Sequence, residues 1–197
     1  MRILIAHSYG LEGSGSSIYA RNLAHALLSI GHEVAVAGYR HPGDQCAHNA
    51  LAAAGGHFLA MPDHALAVTY PRSELAGAQL ISDLSEHQLD RKHYLATLRL
   101  LSHVRSFRPD LIIANHFLIA AGAAVEVAGP LGIPVVVVSH GTDIEYAAER
   151  SPLLRQRART IAAGAAARIA LNQRARARAA QVLGLLLSDF HIIPPGI

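Results

Sequence analysis

Four places in this 197-residue chain lie in the loops that follow apolar runs, where the carboxyl end of a strand in an open parallel sheet offers a ligand its approach. The first is Gly13-Ser14-Gly15-Ser16-Ser17. Small residues opening a helix put unpaired N–H groups where an anion can draw near; an ordinary flexible turn has the same composition. The second, Gly38-Tyr39, offers neither imidazole nor carboxylate. The third is Asn115-His116, whose histidine reads either as a satisfied structural donor or as a ligand group. The fourth, Ser139-His140-Gly141-Thr142-Asp143, is the richest. Gly141 lets a ligand or a second loop come close to His140. Thr142 and Asp143 have the chemistry either to bind hydroxyl groups or to cap the next helix.

Other chemistries lack their residues. Gly13 and Gly15 fit the first two positions of a dinucleotide fingerprint, but Ile18 occupies the third, and no acid stands at Gly38-Tyr39 to hold a ribose. There is no GK[ST] phosphate loop, no Gly-x-Ser-x-Gly elbow for a serine nucleophile and no HExxH zinc pair. His41, His48, His57, His64, His87, His93 and His103 show no metal-ligand spacing and read as surface residues. The single cysteine, Cys46, excludes an internal disulfide and a cysteine zinc site, and reads as a small packing residue.

The elements that must position these loops follow from the hydropathy pattern. Apolar runs at Arg2 to His7, Val34 to Ala37, His57 to Met61, Leu111 to Ala114, Pro134 to Val138, Ala167 to Leu171 and Phe190 to Ile193 predict strands buried on both faces. Helical spacing predicts a helix over Ser17 to Ile30, with Gly31 as its left-handed stop, and another over Phe117 to Ala128. His41 to Gly56 reads as a loop with a short helix, and Pro62 to Pro71 as loop. Ser73 to Phe107 is helical in pieces, with Leu89, Leu95, Leu98, Leu101 and Val104 its clearest stripe. This alternation predicts one α/β domain over residues 1–197: a Rossmann-like, doubly wound, mainly parallel sheet with helices on both faces.

With 51% hydrophobic residues the chain can build a sizeable core, yet no apolar run reaches the roughly 18 residues of a membrane span. Met1 to Ala6 reads as a strand rather than a secretory signal, so the expected location is the cytoplasm. The net charge of +3 gathers late, at Arg150, Arg155, Arg157, Arg159, Arg168, Arg174, Arg176 and Arg178. These fit the solvated faces of two surface helices, or peripheral contact with anionic lipid headgroups or a phosphorylated ligand. Tryptophan is absent and aromatic residues hardly interleave with the arginines, which counts against nucleic acid.

Taken in order, these segments resemble the N-terminal domain of family 4-like (group 1) glycosyltransferases of the two-domain GT-B architecture. The resemblance runs the full chain. It rests on Met1-Arg2-Ile3-Leu4-Ile5, on Ser14-Gly15 through Leu23-Ala24 to Leu27, and on Gly31-His32-Glu33-Val34. Further on it rests on Pro109-Asp110-Leu111-Ile112, Ile133-Pro134-Val135-Val136, His140-Gly141 and Ile193-Pro194-Pro195-Gly196. Each motif alone is common; their order and spacing are specific.

The resemblance implies a retaining hexosyltransferase that moves a sugar from a nucleotide-sugar donor to a hydroxyl-bearing acceptor, with no metal and no cofactor, in a cleft between two similar domains. Ser14, Gly15 and Ser16 then form the donor-phosphate loop, Gly15 near the diphosphate and Ser14 in place of the family's first glycine. His140 matches the catalytic histidine beside the donor sugar, where it would bond a sugar hydroxyl and steady developing charge. Asn115 and His116 fall on the acceptor-facing loop. Gly141, Thr142 and Asp143 complete a segment similar to that of enzymes glycosylating small hydroxy acids. The nucleotide pocket, with its Glu-x7-Glu motif, belongs to a C-terminal domain outside this sequence. The expectation is therefore an acceptor-side domain that needs its own C-terminal domain for turnover. The alternative is a non-catalytic Rossmann-like module that binds a sugar or a phosphate.

Overall fold

The computed structural model describes residues 1–40, 42–61, 67–69 and 78–195. His41, His64 and most of the expected 62–71 loop lie outside them. In chain order the elements are β1 (Arg2–Ala6), α1 (Gly15–Ser29), β2 (Glu33–Gly38), α2 (Gln45–Ala53) and β3 (His57–Ala60). A short pair follows, β4 (Ala67–Val68) and β5 (Gln79–Leu80), then α3 (Glu86–Phe107), β6 (Leu111–Asn115), α4 (Ile119–Ala128) and β7 (Val135–Ser139). The chain continues through α5 (Pro152–Gly164), β8 (Ala167–Ala170), α6 (Gln173–Leu183) and β9 (His191–Ile192).

Among the described residues the strands form a seven-stranded sheet in the order β3-β2-β1-β6-β7-β8-β9, parallel at every pairing. The strands are continuous apolar runs because both faces are covered. Ile5, Val34 and Val36 pack with Ala20, Ala24, Ala47 and Leu51 of α1 and α2 on one face. Leu4, Ala6, Ile112, Val135 and Val137 pack with Leu100, Val104, Ala121, Ile161 and Ala180 of α3 to α6 on the other. The one-residue alternation between Leu4, Ile5 and Ala6 is the period-two pleat of a strand read from both sides. Gly31, at φ +86°, follows α1 as expected.

Several expectations need correction. The helix that ends at Phe107 begins only at Glu86, where Ser85 and Gln88 make a reciprocal capping box. Of the expected 73–85 stretch, residues 73–77 lie outside the described set, and 79–83 form β5 and a 3-10 turn. The buried stripe of α3 is Leu89, Ala96, Leu100, His103, Val104 and Phe107, while Leu98 is 48% exposed. An alanine and a histidine hold core positions there, which a count of large apolar residues misses. His103 is buried, its Nε2 donating to the Ala60 carbonyl at 3.1 Å, and His48 is buried and stacked on Phe58. Both were expected at the surface. Cys46 is exposed rather than packed.

Candidate functional site

Strand order reverses between β1 and β6: from β1 the chain proceeds to β2 and β3 on one side, and from β6 to β7, β8 and β9 on the other. Open α/β sheets bind ligands at such a switch point. Here the residues leaving the strand ends are His7 after β1, Asn115 and His116 at the end of β6, and Ser139 and His140 after β7. Their rings form one cluster. His116 stacks on His7 with centroids 6.1 Å apart and lies 4.6 Å from His140, while Tyr9 and Tyr19 set their edges or faces against His116 and His140.

The cluster is held from below by Asp143, which is fully buried. Its carboxylate accepts from the Phe117 N–H at 3.0 Å, from the Ser139 hydroxyl at 3.2 Å and from the His140 N–H at 3.2 Å. It therefore ties the loop after β6 to the loop after β7. It makes no side-chain cap on the π-helical turn Ile144–Ala148 that follows. Burial alone would raise its carboxyl. His116, whose Nδ1 stands 3.8 Å away, outweighs this together with the Phe117 N–H and His140, and the carboxyl ionises below its ordinary range.

His140 Nε2 donates to Asn115 Oδ1 at 2.7 Å, which places the ring proton on Nε2 and leaves Nδ1 an acceptor. Burial and then the neighbouring His116, only partly opposed by Asp143, lower its pKa to about 3. Burial, His116 and His140 also hold His7 well below 6.5. Both rings are thus neutral at pH 7. Gly141 has φ +89°, a conformation that a side chain would strain, and the turn it makes lets its N–H reach back to Ser139 Oγ at 3.4 Å. Thr142 is half-buried beside it. His116 itself has φ +67°, which costs a residue with a Cβ roughly 1–2 kcal/mol. Such strain gathers at functional sites.

The glycine loop faces the same end of the sheet. Ser14 is the N-cap of α1, accepting from the Ser17 N–H at 3.0 Å, and Gly15 and Ser16 supply the leading N–H groups of the helix. A Cβ built on Gly15 would meet nothing within 4 Å, so this helix end is open to a ligand. Ser14 Oγ and Ser17 Oγ share a hydrogen bond of 2.6 Å, and Ser17 Oγ lies 3.5 Å from His7 Nε2. This links the loop to the ring cluster. The loop's base is fixed by Asp44, whose carboxylate accepts from the Leu11 N–H at 2.9 Å and leaves no room for a Cβ on Gly10.

All the sequence-predicted site residues lie at this end of the sheet. His7, Tyr19 and Asp44 were not singled out, and Ser17 was named only as the last residue of the glycine loop. The strand-end rule that found His116 and His140 would have found His7. Asn115 Nδ2, both ring nitrogens of His116, His7 Nδ1 and Ser8 Oγ are buried with no hydrogen-bond partner among the described residues. A buried polar atom left so costs roughly 1–3 kcal/mol.

Most of the late arginines have structural roles. Arg155, Arg159 and Arg168 donate to backbone carbonyls at element ends, and Arg157 and Arg178 pair with Asp90 and Glu149. Among the described residues no group of His, Cys, Asp or Glu is placed to hold a metal ion, and no helix is long and apolar enough to cross a membrane.

A family model described as a glycosyl transferase 4-like domain matches residues 14–196. None of the curated proteins matches the sequence. Among solved structures, Anabaena HepE in complex with UDP-glucose superposes with a TM-score of 0.66 at 17% identity, over 100% of this chain and 44% of that one. Sucrose-phosphate synthase from Thermosynechococcus elongatus gives 0.65 at 16% identity, over 100% and 48%. The UDP-GlcNAc 2-epimerase from Neisseria meningitidis, bound to UDP-GlcNAc, gives 0.58 at 12% identity, over 98% and 46%. The chain spans less than half the length of each.

Proposed function

The chain belongs to the glycosyl transferase 4-like domain family, and from that premise we propose that it forms the acceptor-side wall of a glycosyltransferase that moves a hexosyl group, with retention, from a nucleotide sugar to a hydroxyl-bearing acceptor. The observation that supports this best is the part-buried His140 ring at the switch point beside the open N-terminus of α1, held through Nε2 by Asn115 at 2.7 Å and set against Tyr19 with ring centroids 5.0 Å apart. Its Nδ1 is the group that a sugar's hydroxyl would satisfy.

In this reading the leading N–H groups of α1, at Gly15 and Ser16, receive the donor diphosphate. The helix dipole favours the charge that builds on it as the sugar departs. His140 is a neutral acceptor rather than a fixed cation: Nδ1 takes a sugar O–H while Asn115 holds the ring. His116 and Thr142 face the acceptor, and Asp143 keeps the two histidine loops in register. Metal is not required where a helix end and fixed dipoles meet the leaving group. The nucleotide itself binds a second α/β domain across the cleft, in keeping with fold relatives about twice as long. The protein works in the cytoplasm.

The test is a screen of UDP- and other nucleotide sugars against the protein joined to that second domain, with transfer and epimerisation both read, since fold relatives include epimerases. Sugar transfer with retained anomeric configuration supports the proposal. Epimerisation without transfer, or binding without turnover as a non-catalytic module would give, overturns it.

A further inference from the structure

Beside the site, α4 lies as a shallow floor between two higher walls. Its sequence Ile-Ala-Ala-Gly-Ala-Ala sets small residues where α3 and α5 flank it. Gly122 lets the His93 ring approach so closely that a Cβ there would stand 2.9 Å from it. The result is a cavity of about 410 Å³ lined by Leu89, Leu118, Ile119, Val125, Leu154 and Ile161. Charged groups sit only at its rim, where Arg157 of α5 pairs with Asp90 of α3 at 2.6 Å and His93 with Glu126 at 2.5 Å. Such exposed pairs contribute little and open readily.

A second, much smaller crevice on the strand-end side is lined by Ser8, Tyr39 and Met61 and shares Ile81, Leu118 and Ile119 with the cavity. Ser8 follows His7, and Leu118 is two residues beyond His116. The segment Phe117-Leu118-Ile119 that lines the cavity thus leads directly from His116, and an acceptor that reaches the histidines would carry its hydrocarbon group towards α4. An α-helix, about 10–12 Å across with its side chains, is too large for the space. A chain or ring of carbon atoms is not, since pockets for small molecules run from about 300 to 1,000 Å³.

We propose that the cavity over α4 is a subsite for the apolar part, alkyl or aryl, of the acceptor. The identity of the ligand as acceptor rests on the transferase reading above; the cavity's preference for hydrocarbon does not. The probes are straight-chain alkan-1-ols from butanol to decanol, titrated into the protein with the methyl resonances of Leu89, Leu154 and Ile161 observed by NMR. Binding tightens about fourfold per added methylene, the scale of burying one such group, and levels off when the cavity is full. Thr160→Trp, at an exposed position on the rim, fills the mouth and weakens binding at least tenfold with an unchanged thermal melt, whereas Thr160→Ser binds as the parent does. Absence of binding, a flat chain-length series, or equal binding by Thr160→Trp overturns the proposal. So does self-association through this face that Thr160→Trp abolishes. Alkanol binding with no sugar transfer in the nucleotide-sugar screen counts against the transferase reading alone.

Discussion

At the scale of single residues the chemistry turns on imidazoles kept neutral. His140, with a pKa of about 3 and its Nε2–H donating to Asn115 Oδ1, can accept a hydrogen bond from a hydroxyl but brings no positive charge. Under the transferase reading, His140→Ala lowers kcat by about 10² or more, the scale of losing one oriented partner at a charged transition state. The pH–rate profile of the parent shows no inflection from this ring between pH 5 and 8. A loss below threefold assigns His140 to structure. The same depressed values have a stability consequence. Between 6.5 and the folded value the unfolded chain binds protons on His140 and His7 that the native protein does not, so stability is lost as pH falls from about 6.5 towards 3. His7→Phe keeps a ring against His116 and removes one of these titrations. Its melting temperature therefore falls less steeply than the parent's between pH 6.5 and 4, as calorimetry at stepped pH would read. Asn115, His116 and His140 were legible in the sequence as polar residues directly after apolar runs. Asp143 was legible only as a residue of interest, because its partners Phe117 and His116 are brought to it by the pairing of β6 with β7, which no local pattern encodes.

At the scale of elements, the glycine loop is the part that both the sequence and the fold mark, and two variants separate its roles. Gly15 is the first residue of α1 with open space where a side chain would go. Gly15→Leu should therefore fold and melt at or slightly above the parent, since glycine is the poorer helix former. It should weaken nucleotide-sugar binding at least tenfold, because the leucine occupies the approach to the leading N–H groups. A coincident loss of stability would mean the position is structural. The loop's base behaves in the opposite way. Asp44→Ala strands the buried Leu11 N–H and costs about 1–3 kcal/mol; Gly10→Ala drives a methyl to 2.0 Å from Asp44 Oδ2 and costs a similar amount. In the double variant the clash is gone, so urea denaturation should find the pair non-additive by more than about 0.5 kcal/mol. The sequence shows a loop and a short helix here and nothing of this clamp, because a buried carboxylate at a helix start looks like any other cap. The strands were easier: a short apolar run rich in valine and isoleucine and bounded by turn residues reads as a strand covered on both sides, whereas α3 hides its core stripe behind Ala96 and His103.

At the scale of the whole molecule, sequence order predicts alternating strands and helices but not where the order reverses. The placement of β1 beside β6 turns three separate polar loops into one site. That site has its groups on one side only. The ring cluster, the N-terminus of α1 and the approach to α4 all belong to the carboxyl edge of a single sheet. Under the proposed function, catalysis therefore depends on a second domain that grips the nucleotide and sets the sugar's anomeric carbon against the acceptor. Positioning of this kind is worth several orders of magnitude in rate. The 197-residue chain supplied with a nucleotide sugar and an alkanol acceptor should then turn over at least about 10³ slower than the same chain joined to a nucleotide-binding domain, while its affinity for the alkanol stays within threefold. Product formation by the chain alone at a comparable rate would show that one wall suffices and would remove the two-domain cleft from the mechanism.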